Sequence, residues 1–420
     1  MVRLAYTLAL WLALPLVLLR LVWRARLQPD YLSHWSERFG VYDEGPACPV
    51  IWLHAVSVGE SRAAQPMVEA LARRFPGHEL VITCMTPTGR ASAETLLGPR
   101  ARVVYLPYDY PFAVRRFLGH FRPRLGLIME TEVWPNLMAA CAARALPVAL
   151  INARLSERSC RRYRYSGDLA RAAFAAFTLV GAQSAADQAR LATLGARASH
   201  VTGNVKFDAL PDPAEQARGA GWKAALGGRR VVLAASTREG EEALLLPAMA
   251  ALVRAGALLV LVPRHPQRFD QVARLAEDAG YKTVRRSQAA PPPDGAEVWL
   301  GDSMGEMAAY YALADCAYVG GSLLPFGGQN LIEAAACACP AFCGPHTWNF
   351  EEAARAAVAV GAARRVSDSV DLANAMEALL ADHEARRNMA AAAIDFAQNH
   401  RGAAARTLAL IEPLMAKAGS

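Results

Sequence analysis

From Val50 onward, short β-branched and apolar runs alternate with longer stretches of helical pattern, and this rhythm limits the possible folds more than any other feature of the chain. The runs fall at 50–53, 80–83, 103–106, 125–129, 148–151 and 178–181. Strand, helix and strand in that order form right-handed crossovers, which set neighbouring strands parallel and bury the sheet between helical layers. The segment 208–228, with Pro211, Pro213 and four glycines, breaks the rhythm and reads as a linker. The alternation restarts at 230–235, 258–262, 297–300, 316–320 and 341–343. Ala-rich amphipathic helices close the chain, one of them a candidate to cross back and brace the first domain.

The expected fold class is therefore α/β: two Rossmann-like doubly wound domains facing a cleft, with the loops at the carboxyl ends of the strands turned towards it. A chain of 420 residues, 54% hydrophobic, can bury a core in each. Disordered, collagen-like and disulfide-stapled proteins are excluded. The eight cysteines are scattered through apolar segments without paired zinc or redox spacing, which suggests small core residues in a reducing compartment.

From Leu4 to Leu19 the chain carries no charge, and Arg20, Arg24 and Arg26 follow. A segment of this length can just span a bilayer as an uncleaved signal anchor, or lie on its surface with Trp11 and Trp23 among the headgroups. Arg20, Arg24, Arg26 and Arg38 outnumber the single Arg3 ahead of the segment, which predicts a body on the cytoplasmic side. Later apolar runs are short, so this is not a multi-span protein. The expected division is an anchor at 1–26, a first domain at 27–207, the linker at 208–228 and a second domain at 229–420.

Lys and Arg exceed Asp and Glu by 45 to 38, a net charge of +7 that favours anionic partners. The positive charge is dispersed and no aromatic-plus-basic strand motif occurs, so a nucleic-acid partner is not expected.

The residues that stand out sit where strands end. Gly59-Glu60 follows the first strand at the start of a helix; Glu60 is either a helix-start residue suited to the macrodipole or a carboxylate serving a ligand. His54, at the end of that strand, reads as structural. After the fourth strand, Glu130-Thr131-Glu132 precedes Pro135; such a pair suits a metal, a sugar or a salt bridge. The second half has Ser236-Thr237-Arg238-Glu239-Gly240-Glu241, Arg264-His265-Pro266, Gly301-Asp302-Ser303-Met304-Gly305-Glu306, Gly320-Gly321-Ser322 and Gly327-Gly328-Gln329-Asn330-Leu331-Ile332-Glu333. Glycine-rich turns entering helices beside Arg and His form an anion site from backbone N–H groups, and a nucleotide phosphate suits it. No P-loop, no Gly-x-Gly-x-x-Gly and no Asp-x-Asp is present.

Ser57-Val58-Gly59-Glu60, Thr86-Pro87-Thr88-Gly89, Met129-Glu130-Thr131-Glu132-Val133-Trp134-Pro135-Asn136, Asn152-Ala153-Arg154-Leu155-Ser156, Lys206-Phe207-Asp208, Pro263-Arg264-His265-Pro266 and Gly344-Pro345-His346 together resemble the bacterial 3-deoxy-D-manno-octulosonic acid (Kdo) transferases over nearly the whole chain. The resemblance implies the two-domain GT-B fold. It also implies inverting transfer of Kdo from CMP-Kdo to the lipid A precursor in lipopolysaccharide synthesis at the cytoplasmic face of the inner membrane. On it, Glu60 is the general base, and Glu130 and Lys206 stabilise the transition state. Arg264, His265, Met304, Gly305, Glu306, Asn330, Leu331, Ile332 and Glu333 bind the donor, with no metal and no cofactor required. The chain departs from the family's Gly-Gly-His-Asn-Pro-Leu-Glu at Gln329 and Leu331. Alternatives left open are a GT-B transferase or epimerase using a UDP-sugar, and a catalytically silent anchored scaffold. The number of Kdo units added and the oligomeric state are not legible.

Overall fold

In the computed structural model, which describes residues 1–98 and 100–417 without the side chains of Leu27, Val58 and Lys417, the strands form two all-parallel sheets, seven strands each among the described residues. The first comprises β1 (Val50–His54), β2 (Glu79–Cys84), β3 (Arg102–Tyr105), β4 (Leu125–Met129), β5 (Val148–Ala153), β6 (Leu179–Ala182) and β7 (Ser199–Val201), in the spatial order β3-β2-β1-β4-β5-β6-β7. The second comprises β8 (Val231–Thr237), β9 (Leu258–Pro263), β10 (Thr283–Arg285), β11 (Val298–Leu300), β12 (Cys316–Val319), β13 (Ala341–Cys343) and β14 (Ala363–Arg365), ordered β10-β11-β9-β8-β12-β13-β14.

Two compact units contain these sheets: residues 1–209 with the chain from Arg401 onward, and residues 210–400. In the first unit, alternate residues of β1 face opposite cores. Val50 and Trp52 pack with Val81, Phe117 and Leu150, while Ile51 and Leu53 pack with Ile82, Met67 and Ile151. Both faces are dry, which is why these strands read as continuous apolar runs. The helix Ala403–Lys417 completes the second of these cores through Ala403, Ala404 and Ile411. Its start is held by Asp208, whose carboxylate accepts from the N–H groups of Gly402 (2.5 Å) and Ala404 (2.6 Å).

The structure differs from the sequence expectation in three places. The supposed linker 208–228 contains the helix Pro213–Ala225, capped by Asp212 and packed into the second unit, where Trp222 meets Trp299 at 5.1 Å and Tyr310 at 5.8 Å. One of its glycines, read as part of a break, permits helix packing: a Cβ on Gly219 would lie 2.1 Å from the carbonyl oxygen of Ala309, on the helix Met307–Leu313. The chain from Arg401, counted within the second domain, groups with the first, where its helix is the brace expected to cross back; the expected end at 418–420 lies outside the described residues. Edge strands β7, β10 and β14, three residues each, have no run of buried apolar residues to announce them. Of the eight cysteines, six are buried free thiols, whereas Cys48 is exposed and Cys337 partly so.

Gly219→Ala is expected to cost the second unit about 1–3 kcal/mol, because a methyl group has no room between the two helices. Urea unfolding should show a lower midpoint with an unchanged slope; an unaltered midpoint would mean that the helices separate freely.

Candidate active site

In an open parallel sheet, the crevice for a ligand lies where consecutive crossovers leave in opposite directions. In the first sheet that point falls between β1 and β4, and the loops leaving these strands carry Glu60 and Glu130.

Ser57 caps the helix Val58–Arg74, its Oγ accepting from the Glu60 N–H at 3.3 Å. The Glu60 carboxylate folds back over the same turn: Oε2 accepts from the Val56 N–H (2.8 Å) and Oε1 from the Ser57 hydroxyl (3.1 Å). The arrangement is a variant of the capping box. Burial pushes its pKa up to about 7, and repulsion from Glu130 and Glu132 adds to this, against the lowering effect of the two hydrogen bonds.

Glu130 holds a left-handed backbone at φ 57°, a conformation that a residue with a Cβ adopts at a cost of about 1 kcal/mol or more. Its N–H bonds to the Ile151 carbonyl (3.0 Å), so the turn is anchored on β5. Its Oε1 meets Lys206 Nζ at 3.3 Å. Lys206 in turn is fixed by two asparagines: Asn204 Oδ1 accepts from the Lys206 N–H (3.0 Å), and fully buried Asn152 accepts from the Val205 N–H (3.1 Å). Burial, then the charge on Glu130, raises Glu132 above the usual carboxylate range. The structure thus gathers Glu60, Glu130, Glu132 and Lys206 at one end of one sheet. His54 is fully buried with Nδ1 2.9 Å from the Thr83 hydroxyl, and burial lowers its pKa to about 4, as befits a structural histidine.

The second sheet switches direction between β8 and β12. The loops after these strands cross so closely that a Cβ on Gly320 would sit 2.5 Å from the Ser236 carbonyl oxygen. Fully buried Glu241 clamps them: its carboxylate accepts from the N–H groups of Arg238 (2.9 Å), Gly321 (2.7 Å) and Leu323 (3.2 Å) and from the Tyr318 hydroxyl (2.6 Å). Beside it, buried Glu242 takes both arms of Arg268 at 2.8 Å. Arg264 Nε donates to Gln329 Oε1 (3.3 Å), so the loop departing from the family pattern still reaches β9's loop. His265 is kept below its ordinary pKa by burial and by Arg238, Arg264 and Arg268 around it. Arg238 and Arg264, with an uncharged His265 beside them, make a cationic corner at the strand ends, suited to a phosphate.

The remaining residues expected at the donor stand in different settings. Leu331 and Ile332 are buried at 2% exposure each, so their side chains belong to the core of the second unit. Asn330 caps the helix Leu331–Ala336 by accepting from the Ile332 N–H at 3.1 Å, and Glu333 lies in its first turn. The helix expected near Met304 begins at Met307. Met304 is exposed, Gly305 takes φ 87°, and Glu306 stands just before that helix with its side chain receiving Arg218 (2.8 Å) and Arg286 (2.9 Å). Although burial opposes it, Ser303 and these arginines hold Glu306 below the usual range, as a committed ion-pair partner. Sequence reasoning placed Glu241 in the turn that opens this helix but missed that it and Glu242 clamp the neighbouring loops.

Among solved structures, a glycosyltransferase from Rickettsia africae ESF-5 shares the fold at TM-score 0.61 with 13% identity, covering 88% of this chain and 99% of its own. Two doubly wound parallel units of this kind define the GT-B class. A 3-deoxy-D-manno-octulosonic acid transferase of Bordetella pertussis is 44% identical across 97% of this chain and 98% of its own, and one of Haemophilus influenzae is 37% identical across 98% and 99%. Residues 33–209 also match the family described as 3-deoxy-D-manno-octulosonic-acid transferase (kdotransferase). The chain belongs to the Kdo transferase family of glycosyltransferases.

Because Glu60 has a pKa of about 7 in the folded chain against an ordinary 4.5, folding favours its protonated form. The resulting penalty is absent below the ordinary value and complete above the folded one. Glu60→Gln should therefore raise the melting temperature at about pH 8 and leave it unchanged at about pH 4. Calorimetry at the two pH values checks this; equal shifts would mean that Glu60 titrates normally.

Proposed function

We propose that this transferase moves Kdo from CMP-Kdo to a lipid A precursor in lipopolysaccharide synthesis, with inversion and without a metal, at the cytoplasmic face of the inner membrane. The observation that carries the reading is Glu60: a carboxylate with a pKa of about 7, fixed at the switch point beside the Glu130–Lys206 pair. A base poised near neutrality is available unprotonated and still accepts a proton readily.

In this reading the acceptor hydroxyl oxygen attacks the anomeric carbon of Kdo and its proton passes to Glu60. The bond from that carbon to the phosphate oxygen breaks, and its electron pair leaves with CMP. Lys206, steadied by Glu130, offsets charge on the Kdo carboxylate or the departing phosphate. Arg264 and His265, with Arg238 alongside, hold the CMP phosphate, while the helix starts at Asn330 and Glu306 shape the remainder of the donor site. The donor carries one phosphate, which the two arginines suffice to balance, with His265 as a neutral hydrogen-bonding group. The apolar helix Val2–Leu27, followed by the basic cluster, supports attachment to the membrane that holds the anionic glycolipid acceptor.

Incubating detergent-solubilised full-length protein with fresh CMP-Kdo and tetra-acylated lipid A precursor, without divalent metal, should add one or more Kdo units by mass. Glu60→Ala should lower the rate about 10²–10⁴-fold in a folded protein; near-normal turnover would remove Glu60 from the role of base. CMP should raise the melting temperature, and UDP should not. The opposite preference would favour a UDP-sugar enzyme, and protection by neither would favour a silent scaffold.

A further inference from the structure

The helix Val2–Leu27 rests against the first unit along its length. Near its start the Tyr6 hydroxyl donates to Asp109 Oδ2 (3.1 Å), Thr7 Oγ1 donates to Asn136 Oδ1 (3.1 Å), and the Tyr110 hydroxyl donates to the Leu10 carbonyl (2.9 Å). Near its end Leu21 and Ala25 are buried, and Arg24 donates to the Tyr31 hydroxyl at 3.2 Å. The Tyr31 ring lies 6.0 Å from the guanidinium of Arg38, itself buried and bonded to the Met85 carbonyl of the body at 3.1 Å. Ala13, Leu14 and Val17, between these points, are partly covered, at the three-and-four spacing of a single helix face. The opposite face is Leu4, Leu8, Leu12, Leu16, Leu19 and Trp23, all exposed, Leu12 at 82%.

Tyr6 and Ala25 are about 28 Å apart along the helix axis, close to the full hydrocarbon thickness of roughly 30 Å. A helix that crossed the bilayer could not touch one folded body at both points, because that body stays on one side. We propose that this helix lies in the membrane plane, its outer apolar face sunk into one leaflet and its inner face serving as the domain's own surface; the proposal rests on the membrane reading above. The occupant of the exposed face is a bilayer with anionic headgroups. Exposed Arg20 and Arg26 flank the apolar stripe, and Arg158, Arg161, Arg162 and Arg164 are exposed on the helix Glu157–Tyr165, which leads into the helix Gly167–Ala175 that the anchor touches. Leu32 and Trp35, also exposed, extend the apolar surface beyond the helix.

The seat also orients the site. Asp109 and Asn136 follow β3 and β4, at the sheet end that bears Glu60 and Glu130, and Tyr163 of the arginine-rich helix donates to the Thr131 carbonyl at 3.3 Å. A glycolipid headgroup in the same leaflet thus meets the carboxylates from the membrane side.

The test uses the full-length chain with Cys48→Ser and a nitroxide-labelled cysteine in place of Leu8, Leu12, Leu16 or Leu19, added to preformed phosphatidylethanolamine–phosphatidylglycerol vesicles. An in-plane helix gives the same shallow depth at all four positions, from relative collision with oxygen and a water-soluble nickel chelate. It also leaves Val2→Cys labelled by an impermeant maleimide added outside, within about twofold of its rate in detergent. Depth that rises and falls along the helix, with Val2→Cys protected more than tenfold until lysis, would overturn the in-plane seat while keeping the membrane reading. Failure to float with vesicles at all would overturn both.

Discussion

Parallel pairing with both faces covered is the constraint on which the rest of this structure depends. Such a sheet leaves no side chain on its faces free for chemistry, since Trp52, Leu53, Ile82 and Leu127 are all consumed by packing. What remains available is the row of loops at the carboxyl ends of the strands, where orphan N–H groups of the following helices also point. The two sheets use that row differently. The first spends it on Glu60, Glu130, Glu132 and Lys206; the second gathers Arg238, Arg264 and His265 around loops locked by Glu241. A cluster of carboxylates with one lysine and a corner of arginines are thereby built on separate scaffolds by one architectural rule.

Glu60 shows how closely stability and chemistry are joined at such a position. The same carboxylate that closes the first turn of its helix is the candidate base, and its two oxygens already accept two hydrogen bonds. Each oxygen retains a further lone pair, so the cap fixes the group without exhausting it. The Val56 N–H and the Ser57 hydroxyl favour the charged form while burial and the neighbouring carboxylates oppose it, and opposition prevails. Glu130 extends the theme through its backbone: a left-handed glutamate is retained although glycine would be relaxed there, and its side chain holds Lys206.

Legibility in the sequence followed burial. Long strands such as β4 and β9 declared themselves because every residue is apolar and enclosed, whereas Thr283-Val284-Arg285 and Ala363-Arg364-Arg365 join the edges through backbone bonds that leave little trace in side-chain pattern. The Pro213–Ala225 helix was hidden by its glycines, although Asp212 followed by Pro213 is a sound start signal. Site residues at strand ends were legible because topology alone puts them there. Their partners were not: Glu130 and Lys206 are separated by 76 positions, and Arg218 and Glu306 by 88, distances over which no local pattern carries information. The inward turn of Leu331 and Ile332 escaped for a related reason, since the motif fixes the loop but not which face of the short helix is covered.

Residues 1–209 and the helix Ala403–Lys417 belong to one unit, with Asp208 fastening that helix to the point where the second unit departs. During synthesis, therefore, the first sheet emerges from the ribosome long before Ala403, Ala404 and Ile411 exist to cover their part of its core. At about 5–20 residues per second, the intervening unit takes roughly ten to forty seconds to make. Throughout that interval a nascent chain displays bare apolar surface, and its earliest domain reaches its finished form last.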